Sequence, residues 1–215
     1  MLSSYCDLIV LRTFSQKLVE DFADFSNCPV INGLTDDRHP CQALTDLFTV
    51  QEVFGGLDKH LVYIGDGNNI AASLAIAASM TGMPLTVCTP AGFELGADFV
   101  ADLKSQFPSA QISQDNDPAA AVKTADIVYT DVWASMGQED EAEKRRKIFA
   151  PFQVNAALMS QAPADCKFMH DLPAHRGEEV TDDVIDGPAS LAFQQAENRM
   201  HLAKGLLTWI VTKAH

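Results

Sequence analysis

Apolar and polar positions alternate between two rhythms along this chain. Short, often β-branched apolar runs occur at DLIVL (7–11), PVING (29–33), LVYIG (61–65) and PLTVCT (84–89). They recur at AQIS (110–113), DIVYTDV (126–132), KFMH (167–170) and SLAF (190–193). Between them lie stretches with apolar residues three to four apart, near 16–26, 41–54, 69–81, 95–106, 118–124, 138–149 and 153–162, and a long segment, 194–213, closes the chain. Runs of the first kind predict buried strands and stretches of the second kind amphipathic helices. Their alternation predicts an α/β fold, a parallel sheet with helices on both faces. Ligands in such sheets sit beyond the carboxyl ends of the strands. Segment 1–54 supplies only two strand–helix units and reads as the tail of a domain whose beginning lies elsewhere.

The strand ends are therefore where chemistry is sought. KFMHDLPAHRGEE (167–179) packs His170, Asp171, His175 and Arg176 around a Leu-Pro pair that stops the strand. Pairing of Asp171 with Arg176 is one reading of that crowd, and contact with a ligand cation is the other. In VYIGDGNNIAASLA (62–75) a strand runs through Gly65-Asp66-Gly67-Asn68-Asn69 into a helix of small residues, where the first amide groups can face an anion. A dinucleotide fingerprint needs glycine where Ile70 stands and an acid after the next strand, which ends CTP, so a nicotinamide oxidoreductase is excluded. The Asn pair suits a small zwitterion, and an ordinary turn explains it equally well. In YTDVWASMGQEDE (129–141), Asp131 ends a strand and Ser135-Met136-Gly137 forms a loop. The acid and the serine either hold a ligand or cap a helix. DDRHPCQALTD (36–46) puts His39 and Gln42 at a helix start. Arg12 ends the first strand, and Arg199 lies in QQAENRMH at the start of the last helix.

Composition narrows the classes. The balance of 15 basic against 29 acidic residues gives a net charge of −14, which repels nucleic acid and anionic membranes. The densest basic run, EKRRK (143–147), beside EDEAE, reads as a solvated helix face with i,i+4 pairs. Five scattered cysteines without C-x-x-C spacing predict neither disulfides nor zinc. The start MLSSYCDLIV has no signal-peptide pattern, and the longest apolar segment, 70–81, falls short of the ~20 residues of a membrane span. A cytoplasmic protein is expected.

Taken together and in order, HPCQALTD, GDGNN, TDVWASMGQE, MHDLPAHRGEEV and AENRMH resemble the ornithine branch of the transcarbamylase family over essentially the whole chain. The resemblance implies a carbamoyl phosphate domain, here a remnant at 1–46, an ornithine domain at 47–195, and a closing helix at 196–215 that returns to the first. It implies carbamoyl transfer from carbamoyl phosphate to the δ-amine of L-ornithine, giving citrulline and phosphate in arginine metabolism, with no cofactor and no metal. Arg12, His39, Gln42 and Arg199 are then expected around the carbamoyl and phosphate groups. Asn69, Asp131, Ser135 and Met136 are expected around the α-amino and α-carboxylate groups, with Leu172 in the amino-acid pocket. Asp171 occupies the place where the family usually has Cys in His-Cys-Leu-Pro, and it is expected at the δ-nitrogen. The family's Ser-x-Arg-Thr-Arg phosphate loop does not occur in these 215 residues, so a second reading is an amino-acid-binding remnant. A homo-oligomer, trimeric by resemblance, or a second chain supplying the remaining part of the donor domain is the expected assembly.

Overall fold

The computed structural model describes residues 1–134 and 142–213. Two parallel sheets organise it. The smaller pairs β1 (Ile9–Arg12) with β2 (Val30–Leu34), joined by α1 (Gln16–Asp24). From there α2 (Pro40–Phe54) leads into a five-stranded parallel sheet of order β5-β4-β3-β6-β7. Its strands are β3 (Leu61–Ile64), β4 (Leu85–Cys88), β5 (Ile112–Asp115), β6 (Ile127–Thr130) and β7 (Lys167–His170).

The large sheet is covered on both faces, as the unbroken apolar runs predict. Along β3, Leu61 and Tyr63 join a cluster with Leu47 and Val50 of α2 and with Ala71, Leu74 and Ala78 of α3 (Asn69–Thr81). Val62 and Ile64 point the other way, to Val122, Phe152, Val154 and Phe168. The side-chain period of two makes this division automatic once both faces are buried. Helix ends follow local chemistry. Asn68 caps α3 by accepting from the amides of Ile70 and Ala71, and the helix stops at Gly82, whose φ of 76° is left-handed.

The remaining helices are α4 (Ala97–Gln106), α5 (Pro118–Ala121), α6 (Ala142–Phe149), α7 (Ala156–Met159), α8 (Asp182–Ile185) and α9 (Ala192–Lys213). α9 packs along α2, joined to it by Asn198 Nδ2 donating to Thr49 Oγ1 at 3.1 Å and to Glu52 Oε2 at 2.9 Å. None of the helices among the described residues is long and apolar enough to cross a membrane.

Several boundaries differ from the sequence pattern. SLAF (190–193) is not a strand: Ser190 makes a single bridge to Phe168, and α9 already begins at Ala192. Leu191 and Ala192 are apolar because they cover β7 from the helix start. The fifth strand lies two residues later than AQIS, and the expected helix at 153–162 shrinks to α7. EKRRK is not wholly a solvated face. Lys147 pairs with Glu143 at 3.0 Å as expected, but Arg145 turns inward and is 8% exposed.

Candidate active site

β3, β6 and β7 run in register, with Ile64 opposite Thr130 and Thr130 opposite His170. The residues just beyond these strands therefore stand side by side. Strand order reverses direction between β3 and β6, the position where open α/β sheets leave a crevice. A cavity of about 720 Å³ opens there, lined by Asp66, Gly67, Asn68, Asn69, Asp131, Asp171 and Leu172 on the sheet side. Arg12, Phe14, Leu34, Asp36 and His39 line it from the smaller sheet and the start of α2.

The turn after β3 is held tightly. A Cβ on Gly67 would lie 2.5 Å from the carbonyl oxygen of Phe93, so only glycine fits there. Asn68 uses both ends of its amide. Its Oδ1 caps α3, and its Nδ2 donates to Asp131 Oδ2 at 2.8 Å. Asn69 Nδ2 donates to the carbonyl of Thr35 at 2.8 Å and so ties this turn to the segment after β2. Behind Asp66 lies Arg145, whose Nη1 donates to Asp66 Oδ2 at 2.7 Å and to the Trp133 carbonyl at 2.9 Å. Its guanidinium also lies over the rings of Phe93 at 5.2 Å and Phe149 at 5.7 Å. A buried pair of this kind fixes geometry, because leaving either charge alone costs several kcal/mol.

Beyond β7, Leu172 adopts a left-handed φ of 57°, and Leu172–Pro173 is a cis peptide. The Leu172 amide donates to His170 Nδ1 at 2.9 Å, while His170 Nε2 lies 3.2 Å from the buried Glu179 Oε1. With Nδ1 accepting, Nε2 carries the imidazole proton and donates it to Glu179. Arg176 does not pair with Asp171. It binds Asp182 at 2.7 Å and Asp186 at 2.5 Å on the surface, which rejects the simple ion-pair reading of that motif.

The two sides of the cavity differ in charge. His39 is buried, with Nδ1 lacking a partner. Burial, then Arg199 and Arg12, lower its pKa to about 4, so it stands as a neutral imidazole beside cations. Opposite, burial raises the carboxyls of Asp66, Asp131 and Asp171, and Asp171 rises well above the usual range because Asp131 and Asp46 add like charge. Asp46, beneath the site on α2, is pushed by burial up to about 7 despite bonds from Gln42, Gln195 and Tyr129. Gln195 Nε2 donates to Asp46 Oδ1 at 2.6 Å, and Gln195 Oε1 accepts the His170 amide at 3.0 Å, so α9 buttresses both.

Of the residues singled out from sequence, Arg12, His39, Asn69, Asp131, Asp171 and Leu172 line one cavity. Gln42 is not among its lining residues and instead donates to Asp46 Oδ1 at 2.8 Å. Arg199 sits on α9, is not among the lining residues, and acts by its charge on His39 and Asp46. Ser135 and Met136 lie outside the described residues. Sequence reasoning singled out the Asn68-Asn69 pair without the capping role of Asn68, and it missed Arg145 and Asp46. For Asn68 the signal was present, since an Asn immediately before a helix is a capping residue with a second hydrogen-bonding end.

Comparison with known proteins places this geometry. Residues 57–210 match the Asp/Orn-binding domain of aspartate/ornithine carbamoyltransferases, and residues 1–52 match the carbamoyl-phosphate-binding domain. The chain is 55% identical over 210 residues to an ornithine carbamoyltransferase of Anoxybacillus flavithermus, covering 96% of this chain and 67% of that protein. It is 51% identical over 214 residues to an anabolic ornithine carbamoyltransferase of Pyrococcus furiosus, covering 98% of this chain and 68% of the relative. A solved ornithine carbamoyltransferase from Pyrococcus furiosus superimposes with a TM-score of 0.93 at 50% identity, over 98% of this chain and 68% of that one. The anabolic enzyme of Campylobacter jejuni does so with a TM-score of 0.91 at 32% identity, over 99% and 71%. The chain belongs to the aspartate/ornithine carbamoyltransferase family.

Proposed function

We propose that this chain is an ornithine carbamoyltransferase, moving the carbamoyl group of carbamoyl phosphate to the δ-amine of L-ornithine. One observation carries the reading. A single cavity has arginine and neutral histidine on one side and buried carboxylates and amides on the other. That division matches an anionic donor and a diamino acid acceptor. The relatives named above agree with it.

The residues then take these roles. Asp131, Asn69 and the Ser135-Met136 segment hold the α-amino and α-carboxylate groups, and Asp171 with Leu172 sits at the δ-nitrogen. Arg12 and His39 face the carbamoyl group, with Arg199 acting on His39 by its charge and Gln42 supporting from α2. The amine attacks the carbonyl carbon, forming the C–N bond as charge grows on the carbonyl oxygen. Donors already aimed at that oxygen stabilise the charge without reorganising. The C–O bond to phosphate breaks, phosphate leaves with the electron pair, and the amine loses its proton. A neutral His39 donates a hydrogen bond without adding a buried cation beside Arg12.

We assign residues 1–46 with 196–215 to the donor unit and 47–195 to the ornithine unit. A homo-oligomer, trimeric by resemblance, is the expected assembly, and light scattering of the purified chain checks it. Citrulline formation from ornithine and carbamoyl phosphate, both at high concentration, tests the function. Turnover is expected, and Arg12→Ala is expected to lower it by roughly 10²–10³-fold, the cost of one lost oxyanion donor. Ornithine binding by the folded chain with no citrulline formed would leave a binding module in place of the enzyme.

A further inference from the structure

Two carboxyls stand on neighbouring positions just beyond the paired ends of β6 and β7, where Thr130 is opposite His170, and both residues line the cavity. Counting hydrogens locates the proton between them. Asp131 Oδ2 accepts from Asn68 Nδ2 at 2.8 Å, and Asp131 Oδ1 accepts from the Val132 amide at 2.6 Å. The Asn68 amide cannot be turned round, because its Oδ1 must accept the Ile70 and Ala71 amides. Asp131 is thus dressed as a carboxylate on both oxygens.

Asp171 is not. Its Oδ1 is buried without a hydrogen-bond partner. The nearest ring nitrogen, His170 Nδ1 at 3.5 Å, has its lone pair occupied by the Leu172 amide and no hydrogen to give. Among the described residues no lysine or arginine pairs with either acid. A second buried bare carboxylate beside the first is expensive unless one proton is kept between them. That proton belongs on Asp171, a residue of the cavity wall whose buried Oδ1 has no other partner.

We propose that Asp131 and Asp171 hold one proton between them until ornithine arrives, and that its side-chain ammonium displaces this proton to solvent. The inference rests on the ornithine reading above and adds to it a proton stoichiometry. The surrounding charges are accounted for. Asp66 is paired with Arg145, and Asp46 is held by Gln42, Gln195 and Tyr129. Glu179 Oε1 accepts from His170 Nε2 and from the His175 amide at 2.5 Å, while its Oε2 is buried without a partner. Tyr63 and Tyr129 have phenol pKa values raised well above the usual value by burial, so both stay protonated. Arg12 and neutral His39 line the cavity from the smaller-sheet side, and Arg199 on α9 acts on His39 by its charge. Free chain binds one more proton than the complex, so ornithine affinity rises with pH, about tenfold per unit, until Asp171 ionises unaided.

The test uses the full chain with inorganic phosphate at saturation, after citrulline formation by the same sample has been measured. Ornithine is titrated calorimetrically in buffers of different ionisation enthalpy, and infrared difference spectra follow the carboxylic acid band. About one proton is expected to be released, with loss of that band. L-2-aminopentanoate, the same skeleton without the amine, is expected to release none. Asp171→Asn is expected to abolish both the band and the release. Proton release that survives in Asp171→Asn, or ornithine binding that removes no carboxylic acid band beyond what Asp171→Asn shows, assigns the proton to the amine and overturns the proposal. Binding without proton release overturns it while leaving the ornithine reading intact, whereas absence of ornithine binding overturns both.

Discussion

The two sheets are built from the same kind of strand and live in different environments. β3, β4 and β6 are buried at every position, whereas β1 alternates between half-buried and exposed residues and β2 is half-buried throughout. Val10 is 54% exposed and Phe168 is fully buried. The lesson concerns where each sheet puts its charge. The small sheet ends in Arg12, a cation that water can help to solvate. The large sheet ends in Asp66, Asp131 and Asp171, acids that only a protein interior can push toward the protonated form. Precision on the acceptor side comes from packing, while the donor side relies on a charge at the rim of a smaller unit.

Breaking the large sheet is expected to cost most. Phe168→Ala removes a ring buried between β7 and the opposite layer, and a loss of about 3–5 kcal/mol in urea unfolding is expected. Next comes the buried pair behind the turn. Arg145→Met leaves Asp66 uncompensated and is expected to destabilise by about 3 kcal/mol, and adding Asp66→Asn is expected to recover much of that loss. A double variant no more stable than the single one refutes the pairing argument.

A third effect depends on pH. Asp46 has a folded pKa of about 7 against an ordinary value of 3.8. Its contribution to stability is therefore full below about pH 4 and is lost as the pH rises through 7. Over that window the slope attributable to Asp46 approaches about 1.4 kcal/mol per pH unit. Asp46→Asn is expected to flatten the curve, measured as the wild-type minus variant difference at each pH. The smallest change is expected in the other sheet, where Val10→Thr should stay within about 0.5 kcal/mol. A large loss there would mean that the small sheet is as tightly packed as the large one.

Much of this could be read from the chain because strand ends are local features. Asp131, Asp171 and the GDGNN turn announce themselves where apolar runs stop, and a parallel sheet aligns such stops without further information. What stayed hidden depends on contacts distant in sequence. Arg145 reads as one cation among several in EKRRK, and only Asp66, Trp133 and the two phenylalanine rings reveal why it turns inward. Asp46 looks like an ordinary helical acid until Gln195 and Tyr129 close over it. The false strand at SLAF has a similar origin, since a short apolar run has no period of its own and α9 borrows it to cover β7.

The bond from Gln195 to Asp46 spans 149 positions of sequence, and that separation also fixes an order in time. During synthesis Asp46 leaves the ribosome long before its partner exists. At about 5–20 residues per second the wait is roughly seven to thirty seconds. Until then Asp46 lacks its shortest hydrogen bond and the His170 amide lacks its acceptor. The pocket thus cannot mature before residue 195 is made, and the growing chain carries its acidic floor open to solvent or to chaperones until then.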